Sequence, residues 1–349
     1  MLADTQATST QTRPLAAWLL ICCALVFAMV VLGGVTRLTR SGLSMVEWEP
    51  IMGVIPPLNE RQWQETFEKY RRFPEYQKVN RDMTLKEFKW IFWVEYAHRL
   101  LGRAIGLVFL LPFLYFLVRR RVPRPLVPKL IIMFLLGGLQ GLLGWFMVKS
   151  GLVDQPRVSP YRLTAHLTMA ILIYGYILWT ALGLLFPDAE NDNPINRSIR
   201  RFGLAVTATV CLMIVSGGFV AGTKAGFAFN TFPLMNGRLV PEGALAMSPI
   251  WVNFFENIAT VQLHHRLLAY ILCVVTFLFW YQARQASVIA RTRTAAHMLL
   301  AALMLQIILG IATLLLIVPI PLAAAHQAGA LLVFTVVLFI NHELRTGHG

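Results

Sequence analysis

Acidic residues are scarce in this chain. Its 349 residues include 17 Asp and Glu against 31 Lys and Arg, and charged side chains make up only 14%. A soluble domain carries roughly 25% charged residues, so a water-exposed globular surface is excluded for most of the sequence. Cysteine is scarcer still. Cys22, Cys23, Cys211 and Cys273 all fall inside apolar runs, and none lies in a loop where a disulfide or a CxxC redox pair could form. Each reads as a small hydrophobe, which removes cysteine chemistry. Nor is a cleavable signal peptide expected: the first apolar run begins near Ala16 and has no small-residue cleavage site, so it reads as a retained span.

What the chain has is apolar length. Hydrophobic residues make up 57%. Stretches long enough to cross about 30 Å of hydrocarbon occur near 16–35, 90–118, 128–148, 163–186, 203–221, 258–281, 296–318 and 322–342. The fold class this predicts is an all-α membrane protein of eight spans. The net charge of +14 does not point to nucleic acid, because the basic residues cluster in short loops between spans, where they set topology and meet lipid head groups. The loop 119–129, the segment around Arg197, Arg200 and Arg201, and that with Arg284, Arg291 and Arg293 carry eleven Lys and Arg. The connections 149–162, 222–257 and 319–321 carry five. The positive-inside rule then puts both termini in the cytoplasm. The first loop, 36–89, opposes this with ten Lys and Arg of its own. Within it, Trp63, Phe67 and Tyr70 recur at helical spacing among charges, predicting a short amphipathic helix over 59–76 on the membrane surface.

The sequence also repeats itself. GGVTRLTRSGLSM (33–45) lies over GGFVAGTKAGFAF (217–229), continuing to Gly53 and Gly237 at the same offset. EYAHRLLG (95–102) lies over QLHHRLLA (262–269), Gln140 and Gly144 over Gln306 and Gly310, and TAHL (164–167) over AAHQ (324–327). Four matches in one order predict two pseudo-symmetric four-helix bundles, 1–190 and 195–349, arising from an internal duplication.

The repeat pairs His98 with His265 and His166 with His326, all in the first third of even-numbered spans. Even spans run the same way, so the four imidazoles share one depth, near the face opposite the termini. In an up-down-up-down bundle the second and fourth helices are diagonal neighbours. His98 and His166 are then opposed in one bundle, as are His265 and His326 in the other. Two opposed neutral imidazoles are the ligand set of a bis-histidine haem, and unpaired polar groups in lipid are costly. Copper or zinc would want further carboxylate or thiolate ligands, and none cluster here. His264 points about 100° away from its neighbour and is secondary; His297, His342 and His348 are expected at the cytoplasmic interface. Arg99 and Arg266, each following a proposed ligand, either pair with a haem propionate or snorkel to the interface.

The halves differ at Glu95 against Gln262, each one turn before its histidine. Glutamate can accept a proton or stabilise positive charge, and glutamine can do neither, so the first half is the better candidate for chemistry. A structural ion pair of Glu95 with Arg99 at i+4 is the alternative. Glu95→Gln is expected to leave the protein folded.

The run TRLTRSGLSMVEWEPIMGVIPP, the EYAHR start of the second span and the later HHR and AHQ histidines resemble haem A synthase of bacteria and mitochondria, over nearly the whole chain. Of that family it resembles the subtype without a cysteine pair in the outer loops. The resemblance implies oxidation of the C8 methyl of haem O to the formyl of haem A by two successive hydroxylations. It also implies Glu95, His98 and His166 in the catalytic half that takes the substrate haem, and His265 and His326 as ligands of a haem b cofactor. It places the protein in the cell inner membrane with the histidine layer on the periplasmic side, and a protohaem farnesyltransferase (haem O synthase) as partner. The electron acceptor and any homo-oligomer stay open. A di-haem b electron-transfer protein would explain the histidines but not Glu95. A transporter would want paired broken helices in its repeats.

Overall fold

The computed structural model describes residues 2–47, 54–151, 158–187, 194–286 and 288–345. Among them eight helices are long and apolar enough to cross a membrane. They are α1 (Leu2–Leu38), α4 (Leu85–Val118), α5 (Val127–Gly151), α6 (Pro160–Leu185), α7 (Pro194–Thr223), α9 (Ile258–Gln285), α10 (Ala290–Leu315) and α11 (Ile320–Glu343). Between α1 and α4 lie the short helices α2 (Glu60–Arg71) and α3 (Pro74–Lys78), and before α9 lies α8 (Asn253–Glu256). A helix satisfies every backbone group within itself, which is why apolar runs in lipid take this form. Local signals fix where the helices start. Thr84 and Glu87 form a reciprocal capping box at α4, the Asn257 side chain accepts from Ala259 and Thr260 N–H at α9, and proline sits in the first turn of α6 and α11.

α1, α6, α7 and α11 form the centre, with α1 against α6 and α11, α7 against α6 and α11, and α6 against α11. α4 packs on α1 and α5 on α6, with α4 and α5 touching; α9 packs on α7 and α10 on α11, with α9 and α10 touching. Two rings of four result, α1–α4–α5–α6 and α7–α9–α10–α11, in which α4 and α6, and α9 and α11, are diagonal. One apolar core runs through both, from Leu15, Trp18 and Leu19 through Ile177 and Val206 to Leu299 and Val337. The outer helices turn large apolar side chains such as Leu107, Leu111, Leu135, Ile271 and Phe277 outward, as lipid-facing helices do.

Two features depart from the sequence expectation. α4 begins at Leu85 rather than near 90, so its 34 residues span about 50 Å and its first turns stand clear of the hydrocarbon. Its opening LKEFK is too polar for a hydropathy window to include. The amphipathic segment 59–76 divides into α2 and α3, and α2 packs on α4. Trp63 and Tyr70 pack on the projecting end of α4, with the Trp63 and Phe92 ring centroids 5.0 Å apart and Tyr70 stacked on Phe88 at 5.0 Å. Phe88, Ile91, Phe92 and Tyr96 complete this outer core.

Candidate functional site

All four sequence-predicted histidines lie in the interior of the two rings. The ring of His166 is within electrostatic range of His98, and that of His265 within range of His326. Each imidazole is only partly covered by protein. Glycine on a neighbouring helix makes the room. A Cβ added at Gly144 of α5 would stand 3.0 Å from the His166 ring, and one at Gly310 of α10 would stand 2.8 Å from the His326 ring. Gly33 of α1 and Gly217 of α7 lie against His98 and His265 in the same way, at 3.3 and 3.5 Å. The next glycine in each case faces the other half: Gly34 is met by the Gln327 side chain of α11 and Gly218 by Thr164 of α6. Gln140 donates to the His166 carbonyl at 3.0 Å and Gln306 to the His326 carbonyl at 2.9 Å.

The rings differ in how they are held. His265 Nδ1 is 3.0 Å from the Ser216 hydroxyl, and His326 Nδ1 is 3.2 Å from the Gln306 carbonyl. In the first ring, buried His166 Nδ1 has no partner among the described residues, and its Nε2 is 3.4 Å from the Gln140 amide nitrogen.

Glu95 is 2% exposed. Its Oε2 accepts from Ser44 N–H and Met45 N–H, each at 2.8 Å, and from the Ser44 hydroxyl at 2.7 Å. Arg99 donates to Oε1 through Nε at 3.0 Å and Nη2 at 2.5 Å. Five donors converge on one carboxylate, so the ion pair at i+4 is present and the group is a fixed anion. Gln262 does the reverse, donating its amide to the carbonyls of Ala225 and Ala228. Both arginines have protein partners. Arg99 also donates to the Met45 carbonyl at 2.8 Å, and Arg266 donates to the Phe229 carbonyl at 2.8 Å and to Gln262 Oε1 at 2.9 Å. Both clamp the loop after the first helix of their ring.

Glu75 of α3 is a second buried acid that sequence reasoning missed. It is 5% exposed and accepts from the Tyr70 hydroxyl at 3.4 Å, and Asn80 donates to the same hydroxyl at 2.8 Å. Burial, and then the negative charge of Glu95, push its carboxyl up to about 7, against the opposing pull of the Tyr70 hydrogen bond and the Arg40 charge. No local pattern marks it, because only the fold of the loop onto α4 encloses it.

The remaining histidines are scattered. His264 is half-buried, and its Nδ1 has no partner among the described residues. His297 is exposed and accepts from Trp280 Nε1 at 2.9 Å. His342, expected at the interface, is instead fully buried beneath Trp179 and beside Arg345, because α11 ends inside the bundle. His348 lies outside the described residues. All four cysteines are free.

No three His, Cys, Asp or Glu side chains converge to hold a metal ion among the described residues. Two histidines per ring are instead what a haem needs, since the porphyrin supplies four nitrogens and the protein two. The second pair fits this best: each Nδ1 is occupied by a protein partner, leaving each Nε2 for iron.

Fold and site together define a multi-pass helical membrane protein with paired intramembrane histidines. The profile of the cytochrome oxidase assembly protein family matches residues 16–338. Haem A synthase of Nitrosospira multiformis is 56% identical over 334 residues, covering 95% of this chain and 94% of that protein. Haem A synthase of Nitrosomonas eutropha is 53% identical over 95% of this chain and 94% of its own length. The Arabidopsis thaliana haem A synthase is 46% identical over 94% of this chain and 74% of its own. The chain belongs to the cytochrome oxidase assembly protein family.

Proposed function

We propose that this protein is a haem A synthase, oxidising the C8 methyl of haem O to a formyl by two successive hydroxylations, the resulting diol losing water. The observation that carries the reading is the pairing of histidines in both rings with a buried carboxylate one turn before a histidine, Glu95 before His98, in only one. His98 and His166 hold the substrate haem in the 1–190 bundle, and His265 and His326 hold a resident haem b in the 195–349 bundle. A bound haem supplies the redox chemistry; the chain supplies axial nitrogens, exclusion of water and charge. Glu95 sits one turn before His98 as a negative charge held by Arg99 and the 44–45 backbone, suited to stabilising positive charge that develops at the methyl carbon.

The matched glycines, glutamines and arginine clamps of the two rings support an origin by duplication. Loop charge supports termini in the cytoplasm and the histidine layer on the periplasmic side of the inner membrane. The farnesyltransferase that makes haem O is the expected supplier of substrate.

The test is to purify the protein from cells that make haem O and identify the extracted pigments. Haem b together with haem O, a hydroxymethyl intermediate or haem A is expected. Haem b alone would overturn the reading in favour of electron transfer between two b haems.

A further inference from the structure

The two histidine pairs are anchored unequally, and a single repeat position accounts for much of it. In the second ring both Nδ1 atoms have protein partners, Ser216 Oγ at 3.0 Å and the Gln306 carbonyl at 3.2 Å. With Nε2 directed at iron, each Nδ1 carries the proton and donates it, so tautomer and ring plane are both set. In the first ring the buried Nδ1 of His166 has no partner among the described residues. The sequence repeat that lays Gly33 over Gly217 lays Leu32 over Ser216, and leucine has nothing to offer an imidazole. An unpartnered ring nitrogen in a buried site leaves rotation of the ring without the cost of breaking a hydrogen bond.

We infer that Ser216, with the Gln306 carbonyl, is a positioning residue that locks the second pair for permanent haem retention, and that Leu32 leaves the first pair loose so that haem can enter and leave. This rests on the proposed division into a resident-haem ring and a substrate ring. It adds a physical reason for the division: a substrate site must release its product, whereas a cofactor site must not. The same bond has an electronic effect. A Ser216 oxygen accepting from Nδ1–H makes His265 a stronger donor to oxidised iron, holding the potential of that haem down.

The experiment uses the purified full-length protein loaded with haem b and follows haem transfer to excess apomyoglobin, with the midpoint potential measured on the same samples. Ser216→Ala is expected to speed haem b loss about 10–100-fold, the usual effect of removing a group that orients a metal ligand. It should also move the potential upward while keeping a low-spin spectrum. Ser216→Thr, which keeps the oxygen, should restore both. Leu32→Ser is expected to slow release of the product haem from the first ring without changing haem b loss. Unchanged haem b loss and potential in Ser216→Ala would overturn the inference even with the haem sites intact. Absence of haem b from the wild-type protein would instead overturn the site reading on which it rests. Should Ser216→Ala fail to fold, Leu32→Ser decides alone, and an unaltered product release rate would count against the proposal.

Discussion

The two rings share helices, histidines, glycines and arginine clamps, yet the loop after the first helix meets the second helix in opposite electrical senses. In the first ring the loop presents the N–H groups of Ser44 and Met45 to a carboxylate; in the second it presents the carbonyls of Ala225 and Ala228 to an amide. The exchange of Glu95 for Gln262 is therefore not a point difference. Backbone dipoles turn with the side chain, so charge at this position and the fold of the loop form one unit. Sequence comparison treats glutamate and glutamine as near-isosteres; the structure does not.

The comparison can be broken most severely at the histidines. His265→Ala or His326→Ala should abolish binding of the proposed b-type haem, each being proposed to supply one axial ligand, and an unchanged low-spin bis-histidine spectrum in either variant would refute the assignment. Next comes Glu95→Gln. Loss of the anion should reduce haem A formation by about 10²–10⁴, read from haems extracted from cells that make haem O. The variant is expected to stay folded, with a cost confined to the loop. Its amide nitrogen would face Arg99 or the Ser44 and Met45 N–H groups, donor against donor, at a cost of about 1–3 kcal/mol or more. Cleavage by protease within 39–47 should rise accordingly. Normal haem A with an intact loop would make Glu95 dispensable.

Glu75 offers a pH test confined to the first ring's outer layer. A carboxyl raised from 4.5 to about 7 binds more protons folded than unfolded between those values, so stability falls as pH rises through that window and levels off above it. The loss is on the order of 3 kcal/mol. Protection factors against hydrogen exchange across 54–84 should therefore fall from pH 5 to pH 8 in the wild type, and Glu75→Gln should flatten that dependence. A slope unchanged in the variant would assign it to other groups. The smallest effects come from the glycines. Gly310→Ala brings a methyl to 2.8 Å from the His326 ring and should disturb the haem spectrum and cost about 1–3 kcal/mol; Gly217→Ala, at 3.5 Å from His265, should be nearly neutral. Equal spectra for the two would show that the rings yield freely.

Much of this was legible in the sequence because lipid enforces simple rules. Eight apolar runs gave eight helices, and the repeat register brought His98 towards His166 and His265 towards His326. Legibility failed where the cause was tertiary. The first turns of α4 are polar, so hydropathy passes over them although the Thr84 and Glu87 capping box marks their start, and they gain their place by packing under Trp63 and Tyr70. His342 was assigned to the interface from its position near the end of the chain, whereas Trp179 and Arg345 enclose it. Glu75 is buried where α3 folds back beside Tyr70 and Asn80, which no periodicity marks. Arg99 and Arg266 had two plausible roles, and the partners they take are loop carbonyls that no periodicity reveals. Ser216 did have a signal, its mismatch with Leu32 beside an otherwise matched glycine pair, but a mismatch acquires meaning only once the neighbouring ring nitrogen is seen.

The doubled glycines carry an evolutionary consequence. Gly33 lies under His98 and Gly34, one residue on, lies under Gln327 of the opposite half; Gly217 and Gly218 do the same for His265 and Thr164. Any mutation that shifts α1 or α7 to relieve the seam between the halves also shifts the floor of a histidine site. On the proposed origin by duplication, the two copies were free to diverge in their loops and along their lipid-facing flanks, but not along the seam. There each half is part of the other's inheritance, and a change tolerated in one has to be answered within the same gene by a change in its twin.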